Sequence, residues 1–400
     1  MINITDKTKC CGCSACFNIC SKNAISMEYD SEGFLYPKVD NAKCIKCGLC
    51  LKVCPIINNK KQNKVLEVYG AKNKNTDEQL KSSSGGMFSI FANYVLENNG
   101  IVFGAAFDNN WNVVHKYIDK KEDLDYLRRS KYVQSDINRT YRQAKQFLEN
   151  NRLVLFTGTP CQIAGLKRYL QKNYENLITI DFICFGVPSP KVWEKFLIEN
   201  FDVRKLKSIN FKCKDFAWDK FYLKIEENSS YKTFINNIKI KLVRLILKFI
   251  DNRFFVNYFF YLSFFKGFNY RLFLRPSCHI CHFVGDRNSD FTIYDLWGIR
   301  ELAPSLYDKK GVSGINVNST EGLNFFLKVK NNLDYIKIDC DKIVKFNPRL
   351  LTPKGSHPNR EEFFKRYHSE NLNKLIPIIL NEKPLIIKLF KKVIKKIVAK

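Results

Sequence analysis

The chain has 400 residues, 45% of them hydrophobic and 14% aromatic, and carries 66 Lys and Arg against 39 Asp and Glu, a formal net charge of +27. Such length and apolar content exclude a disordered chain and leave room for two or three domains around a sizeable core. The lysines are spread along a sequence rich in Asn and Ile with no basic-aromatic recognition motif, so no nucleic-acid partner is expected; an acidic protein or an anionic membrane face fits the charge better.

Chemistry begins at the amino terminus. Nine of the fifteen cysteines fall in the first 54 residues, eight of them in two runs of one spacing: Cys10-x2-Cys13-x2-Cys16-x3-Cys20 and Cys44-x2-Cys47-x2-Cys50-x3-Cys54, the second followed by Pro55. This is the two-cluster ferredoxin spacing, in which three thiolates of each run wrap one iron-sulfur cube and the fourth reaches the other. Cys10, Cys13, Cys16 and Cys54 are therefore expected to hold one 4Fe-4S cluster, and Cys44, Cys47, Cys50 and Cys20 the second. Two zinc sites are the competing reading of C-x2-C pairs, but eight cysteines in the full double pattern favour iron-sulfur. Two departures stand out: Ser21 replaces the proline that usually closes the first run, and Cys11 is an extra thiol, either a substitute ligand or a small apolar filler, with the filler favoured. Clusters and many free thiols call for a reducing compartment. The start, MINITDKTKC, lacks the basic and apolar regions of a signal peptide, and the uncharged stretch 254–265 is about half the ~20 residues of a membrane span. A cytoplasmic protein is expected.

A polar stretch, Asn58 to Lys64, reads as a linker. Thereafter strand and helix alternate: strand over 65–71, helix over 84–98 stopping at Gly100, strand over 101–107, strand over 152–157, helix over 162–170, strand over 177–183 and helix over 190–199. The spacing predicts an α+β ferredoxin-like dicluster domain at 1–57, then an α/β domain with a mixed or partly parallel sheet. Residues 211–225 look β-like. Residues 235–265 form a strongly apolar helical insert, read as core or subunit interface in preference to a lipid anchor. Residues 361–400 form a basic tail whose last stretch, KPLIIKLFKKVIKKIVAK (383–400), has the pattern of an amphipathic helix lying on an anionic bilayer, or equally of a helix docked on its own domain.

Six cysteines remain. Cys278-x2-Cys281 is a paired-ligand spacing, and Cys161 and Cys184 each follow a predicted strand, at the sheet edge where α/β folds collect functional groups. The four are candidates for a third cluster; buried apolar cysteines, or zinc shared with His279 and His282, account for the spacing equally well. Ser82-Ser83-Ser84-Gly85-Gly86 precedes a helix start, where backbone N–H groups and the helix dipole suit a phosphate or pyrophosphate, although one serine there is ordinary capping.

The segments SSSGGMFSIFANYVLENNGIVFGAAFD (82–108), SKYVQS (130–135), LFTGTPCQIAGLKRYL (155–170), DFICFGVPSPKVW (181–193), RPSCHICHF (275–283) and SDFTIYDLWGI (289–299) resemble the beta-subunit family of coenzyme F420 hydrogenase/dehydrogenase, in the version with an amino-terminal ferredoxin domain found in bacterial polysaccharide-biosynthesis clusters. The resemblance covers residues 1–360 or so and implies that the α/β domain has an amino-terminal part at 65–150 and a carboxyl-terminal part at 151–360. It implies FAD and a 4Fe-4S cluster in the α/β domain, with Cys161, Cys184, Cys278 and Cys281 as ligands of that third cluster, Ser84, Gly85 and Gly86 at the FAD pyrophosphate, and Lys131 with Tyr132 facing the flavin or its phosphates. Cys213 and Cys340 match nothing in the pattern. Phe185 stands where the family often has histidine, and Tyr294 where a glycine is expected before Asp295. The implied function is an iron-sulfur flavoprotein oxidoreductase passing electrons between its clusters and FAD, with hydride exchanged with a deazaflavin or another acceptor. The rival is a non-catalytic electron-transfer subunit serving an electron-donor or acceptor protein. The tail adds a peripheral contact with the inner face of the membrane.

Overall fold

The computed structural model describes residues 1–59, 65–215, 217–228, 263–286 and 288–381. In the amino-terminal module the helix Ala15–Ile19 leads to an antiparallel hairpin of β1 (Ile25–Tyr29) and β2 (Leu35–Val39), and the helix Leu49–Lys52 follows. Its two cysteine loops are wound alike. The residues before and after the second cysteine of each run have left-handed backbones: Gly12 (φ +69°) and Ser14 (φ +59°) around Cys13, Lys46 (φ +55°) and Gly48 (φ +77°) around Cys47. That pair of reversals curls a C-x2-C-x2-C segment so that its three side chains face one side.

Ten strands follow: β3 (Glu67–Asn73), β4 (Ile101–Phe107), β5 (Val113–Ile118), β6 (Val154–Thr157), β7 (Leu177–Phe182), β8 (Leu206–Cys213), β9 (Tyr222–Glu227), β10 (Phe291–Asp295), β11 (Ser313–Val317) and β12 (Leu333–Lys337). Eight form one sheet in the order β12-β3-β11-β10-β7-β6-β4-β5. The four central strands β10, β7, β6 and β4 run parallel, and all the flanking pairings are antiparallel. Burial on both faces explains the unbroken apolar run of β6, whose Val154, Leu155 and Phe156 are all fully buried. Strand β3 pairs with β11 and β12, so the parts expected at 65–150 and 151–360 share a single sheet.

Three boundaries differ from expectation. The helix predicted from Ser84 begins at Met87, because Gly86 (φ +89°) has a left-handed backbone and Ser84 and Gly85 before it are tied to Val312 and to Ser313 of β11 instead. Residues 211–225 divide between β8 and β9, a separate two-stranded sheet. The tail expected from 361 starts later: the helices Arg360–Arg366 and Leu372–Ile379 bury Phe363, Phe364, Leu372, Leu375 and Ile376 in a core shared with Trp193, Phe196, Phe211 and Phe273. Residues 383–400 lie outside the described residues, as does most of the insert at 235–265; its end, the helix Ser263–Asn269, packs Phe264 and Phe265 into that same aromatic core. Among the described residues no helix is long and apolar enough to cross a membrane.

Candidate metal centres and the loop beside them

The eight amino-terminal cysteines of the two runs divide between two cavities. One is lined by Cys10, Cys13, Cys16 and Cys54 together with Cys11. The other is lined by Cys20, Cys44, Cys47 and Cys50. Backbone donors already point at sulfur, Ile2 N–H to Cys50 Sγ (3.2 Å) and Ala24 N–H to Cys20 Sγ (3.3 Å). Burial first, and then the neighbouring Cys10, pushes the Cys16 and Cys54 thiols up. Thiolates crowded this way need a compensating cation, which iron supplies. Among the described residues no three His, Cys, Asp or Glu side chains close on one point as a single ion requires. The thiols stand around a cavity instead, which suits a cluster taking one ligand at each corner.

A third cavity opens at the carboxyl edge of the parallel strands and is lined by Cys161, Cys184, Cys278 and Cys281, with Cys11 and His282. The fold delivers each cysteine separately. Strand β6 runs into Thr159-Pro160-Cys161, where a capping box between Thr159 and Gln162 starts the helix Pro160–Leu170. Cys184 follows β7, Cys278 sits in the short helix Pro276–Ile280, and Cys281 comes directly after it. Gly186 N–H bonds Cys184 Sγ at 3.4 Å, Val187 N–H bonds Cys278 Sγ at 3.5 Å, and the Thr159 hydroxyl lies 3.1 Å from Cys161 Sγ. Gly186 (φ +103°) has no room for a side chain, since a Cβ would meet Leu274 at 2.8 Å and Cys278 at 3.1 Å. Burial, then repulsion from Cys281, pushes the Cys278 thiol up to about 12; burial, then Cys161, pushes Cys281 to about 11. The donor set fits an iron-sulfur cluster on the same ground as the first two.

Behind Cys161 runs a buried hydrogen-bond chain. Gln162 accepts from Thr159 N–H (2.9 Å) and donates to Ser135 Oγ (3.0 Å), which meets His115 Nδ1 (2.9 Å), whose Nε2 lies 2.9 Å from Thr157 O. Burial pulls the His115 pKa down to about 4, so the ring is neutral and stiffens the turn that presents Cys161.

The structure brings Cys11, read as a substitute ligand or, by preference, an apolar filler, to the wall of this cavity. Cys11 is buried and also lines the neighbouring cavity of Cys10, Cys13, Cys16 and Cys54. Phe185 is half exposed at the cavity rim, with the Arg349 guanidinium 4.6 Å from its ring centroid. Tyr294 is buried on β10, donating to Asn316 Oδ1 at 2.8 Å, and faces Gly314 across the strand pair. A Cβ on Gly314 would stand 2.1 Å from the Tyr294 ring, so the glycine missing before Asp295 is matched by one on the neighbouring strand.

At the loop 82–86, Ser84 donates to Val312 O (3.0 Å) and Gly85 N–H donates to Ser313 Oγ (3.0 Å). A Cβ on Gly85 would lie 2.5 Å from Ala71 O, so close packing against β3 already demands that glycine. Gly86, with its left-handed backbone, opens the eleven-residue helix Met87–Glu97. Lys131 caps the helix Leu124–Leu127, its ammonium 2.8–3.4 Å from four carbonyl oxygens. Tyr132 packs among Phe211, Phe265 and Phe268. One residue that sequence reasoning missed is Lys214, buried behind the loop with its ammonium on the carbonyls of Gln79 (2.7 Å), Ser84 (2.8 Å) and Lys310 (2.6 Å). Burial drives the pKa of both lysines down to about 7.

Two parts of the chain match models of known protein families. Residues 9–57 match the family model of the 4Fe-4S dicluster domain, and residues 151–340 match that of the carboxyl-terminal part of the coenzyme F420 hydrogenase/dehydrogenase beta subunit. The chain is 28% identical over 216 residues to the coenzyme F420-dependent sulfite reductase of Methanocaldococcus jannaschii, covering 52% of this chain and 33% of that protein. It is 26% identical over 183 residues to an F(420)H(2) dehydrogenase subunit of Methanosarcina mazei, covering 43% of this chain and 51% of that protein. The matches thus span a third of one relative and half of the other. A chain of the F420-reducing [NiFe] hydrogenase complex from Methanosarcina barkeri aligns over 76% of this chain and 91% of its own, at 14% identity and a TM-score of 0.45.

Proposed function

We propose that this chain, whose residues 9–57 match the 4Fe-4S dicluster domain and 151–340 the carboxyl-terminal part of the coenzyme F420 hydrogenase/dehydrogenase beta subunit, is an iron-sulfur flavoprotein oxidoreductase with three clusters and one FAD. Cys20, Cys44, Cys47 and Cys50 hold the outer cluster, Cys10, Cys13, Cys16 and Cys54 the middle one, and Cys161, Cys184, Cys278 and Cys281 the inner one. The observation that carries this reading is that the last two sets adjoin: buried Cys11 lines both the cavity of Cys10, Cys13, Cys16 and Cys54 and that of Cys161, Cys184, Cys278 and Cys281. The clusters supply one-electron transfer, and FAD supplies its conversion to hydride exchange with a deazaflavin or another acceptor.

The protein's own groups do the rest. Ser84, Gly85 and Gly86 with the start of the helix Met87–Glu97 offer the FAD pyrophosphate a positive end. Supporting this, Ser130, next to Lys131, donates to Ser83 Oγ and the Lys214 ammonium donates to Ser84 O, so two lysines add positive potential beside the loop. Gly85 N–H, already given to Ser313, is the least available of the donors. A second reading is an electron-transfer subunit without flavin that serves a partner enzyme; the relative named as a dehydrogenase subunit is consistent with such a partner. Anaerobic purification decides between them. The first reading expects about twelve irons and one FAD per chain, with Cys281→Ser lowering iron by about four. Full iron without flavin, and no uptake on reconstitution, leaves the subunit reading.

A further inference from the structure

Arg275 is a fully buried arginine three residues before Cys278, and no carboxylate pairs with it among the described residues. A buried guanidinium keeps its charge, at a high cost unless every donor is satisfied. Here the fork reaches mainly into the amino-terminal module: Nε donates to Cys10 O (2.8 Å) and Nη2 to Leu35 O (3.0 Å) and to Cys10 Sγ (3.5 Å), while Nη1 donates to Gln134 Oε1 of the α/β domain (3.0 Å). Gln134 in turn donates to Cys11 O at 3.2 Å. The guanidinium carbon sits 4.1 Å from the Tyr36 ring centroid and 5.5 Å from that of Phe34. The cysteine loop yields space for it, since a Cβ on Gly12 would come within 2.7 Å of Nη1. The backbone of the same residue faces the other way. Its carbonyl accepts Cys278 N–H (2.9 Å) and its N–H donates to Val187 O (3.0 Å), so one residue builds part of both cysteine sets.

We propose that Arg275 is a positioning residue that joins the middle and inner cluster sites and raises the reduction potential of the cluster held by Cys10, Cys13, Cys16 and Cys54. The inference rests on the three-cluster reading above. A fixed positive charge with an N–H aimed at a ligating sulfur stabilises the added electron, because reduction makes the cluster more negative. Lysine cannot replace it: four acceptors in different directions need the planar fork.

The test uses the full chain purified anaerobically as wild type, Arg275→Gln and Arg275→Lys, with iron analysis and an EPR-monitored redox titration; Cys44→Ser assigns the outer cluster's signal. In Arg275→Gln the middle cluster's midpoint should move negative by at least a tenfold change in its reduced-to-oxidised ratio, about 59 mV for one electron. Arg275→Lys should shift it less, and the outer cluster should hold its wild-type potential in both. Unchanged midpoints in iron-replete variants overturn the proposal, as does an equal shift of both amino-terminal clusters. Should Arg275→Gln fail to fold, the Arg275→Lys midpoint decides alone. Wild-type protein with iron for only two clusters overturns the three-cluster reading instead, and iron analysis alone reveals that.

Discussion

Residue by residue, the departures from the family pattern have physical explanations that the sequence could not supply. Tyr294 fills space that Gly314 leaves open, and its hydroxyl is satisfied by Asn316, so the pair behaves as one packing unit on adjacent strands. Gly314→Ala should therefore destabilise the domain by about 1–3 kcal/mol through overpacking. Tyr294→Ala should cost about 3–5 kcal/mol through the cavity it opens. Denaturant titration of the double variant should fall well short of the sum, because the methyl enters space the ring has vacated. Additive losses would mean the two residues act independently. Cys11 teaches a different lesson. A thiol beside a ligand has no spacing signal of its own, and only its place in the walls of both cavities shows that it lies between two sites.

At the scale of elements, the legible parts were those with strong local patterns. The cysteine runs, the apolar strands β4, β6 and β7 and the helix Pro160–Leu170 are written in contiguous residues, and they position Cys161 and Cys184 at the sheet edge. Strands β5, β10, β11 and β12 escaped notice because such short strands owe their existence to distant partners, as with β11 between β3 and β10. The same holds for the loop 82–86, whose groups are engaged by Val312, Ser313 and Lys214 from far along the chain. Lys214 offers the cleanest test of that loop. Lys214→Met keeps the volume and removes the buried charge, so FAD should bind at least tenfold more weakly while iron content stays at the wild-type level. Flavin titration by fluorescence reads the first and iron analysis the second; wild-type affinity would separate this loop from the flavin.

On the scale of the whole molecule, the amino-terminal module is fastened to the α/β domain by arginines from the latter. Arg142 donates to the carbonyls of Asn18 (2.6 Å) and Cys20 (2.7 Å), Arg168 to that of Asn58, and Arg360 pairs with Glu32 through Nη1 at 2.6 Å. Bonds to main-chain oxygens hold the module in one orientation, so the middle cysteine set faces inward and the outer set is left at the surface. There Cys47 and Ile45 are exposed, Ile45 by 60%, among the exposed lysines Lys22, Lys46 and Lys52. A small apolar spot ringed by lysines over an electron-carrying centre suits an acidic redox partner, with the charges setting the encounter rate and the apolar contact the fit. Lys22→Glu with Lys46→Glu should slow reduction by an acidic ferredoxin about tenfold or more at low salt. The difference should shrink as ionic strength rises and the Debye length falls below ~8 Å. Reduction by dithionite, a small reagent that needs no docking, should be nearly unaffected, and stopped-flow absorbance of the clusters measures both. If the double variant accepts electrons from the protein donor at the wild-type rate at every salt concentration, the partner docks elsewhere, and the exposed cysteine set is not where electrons cross between the two proteins.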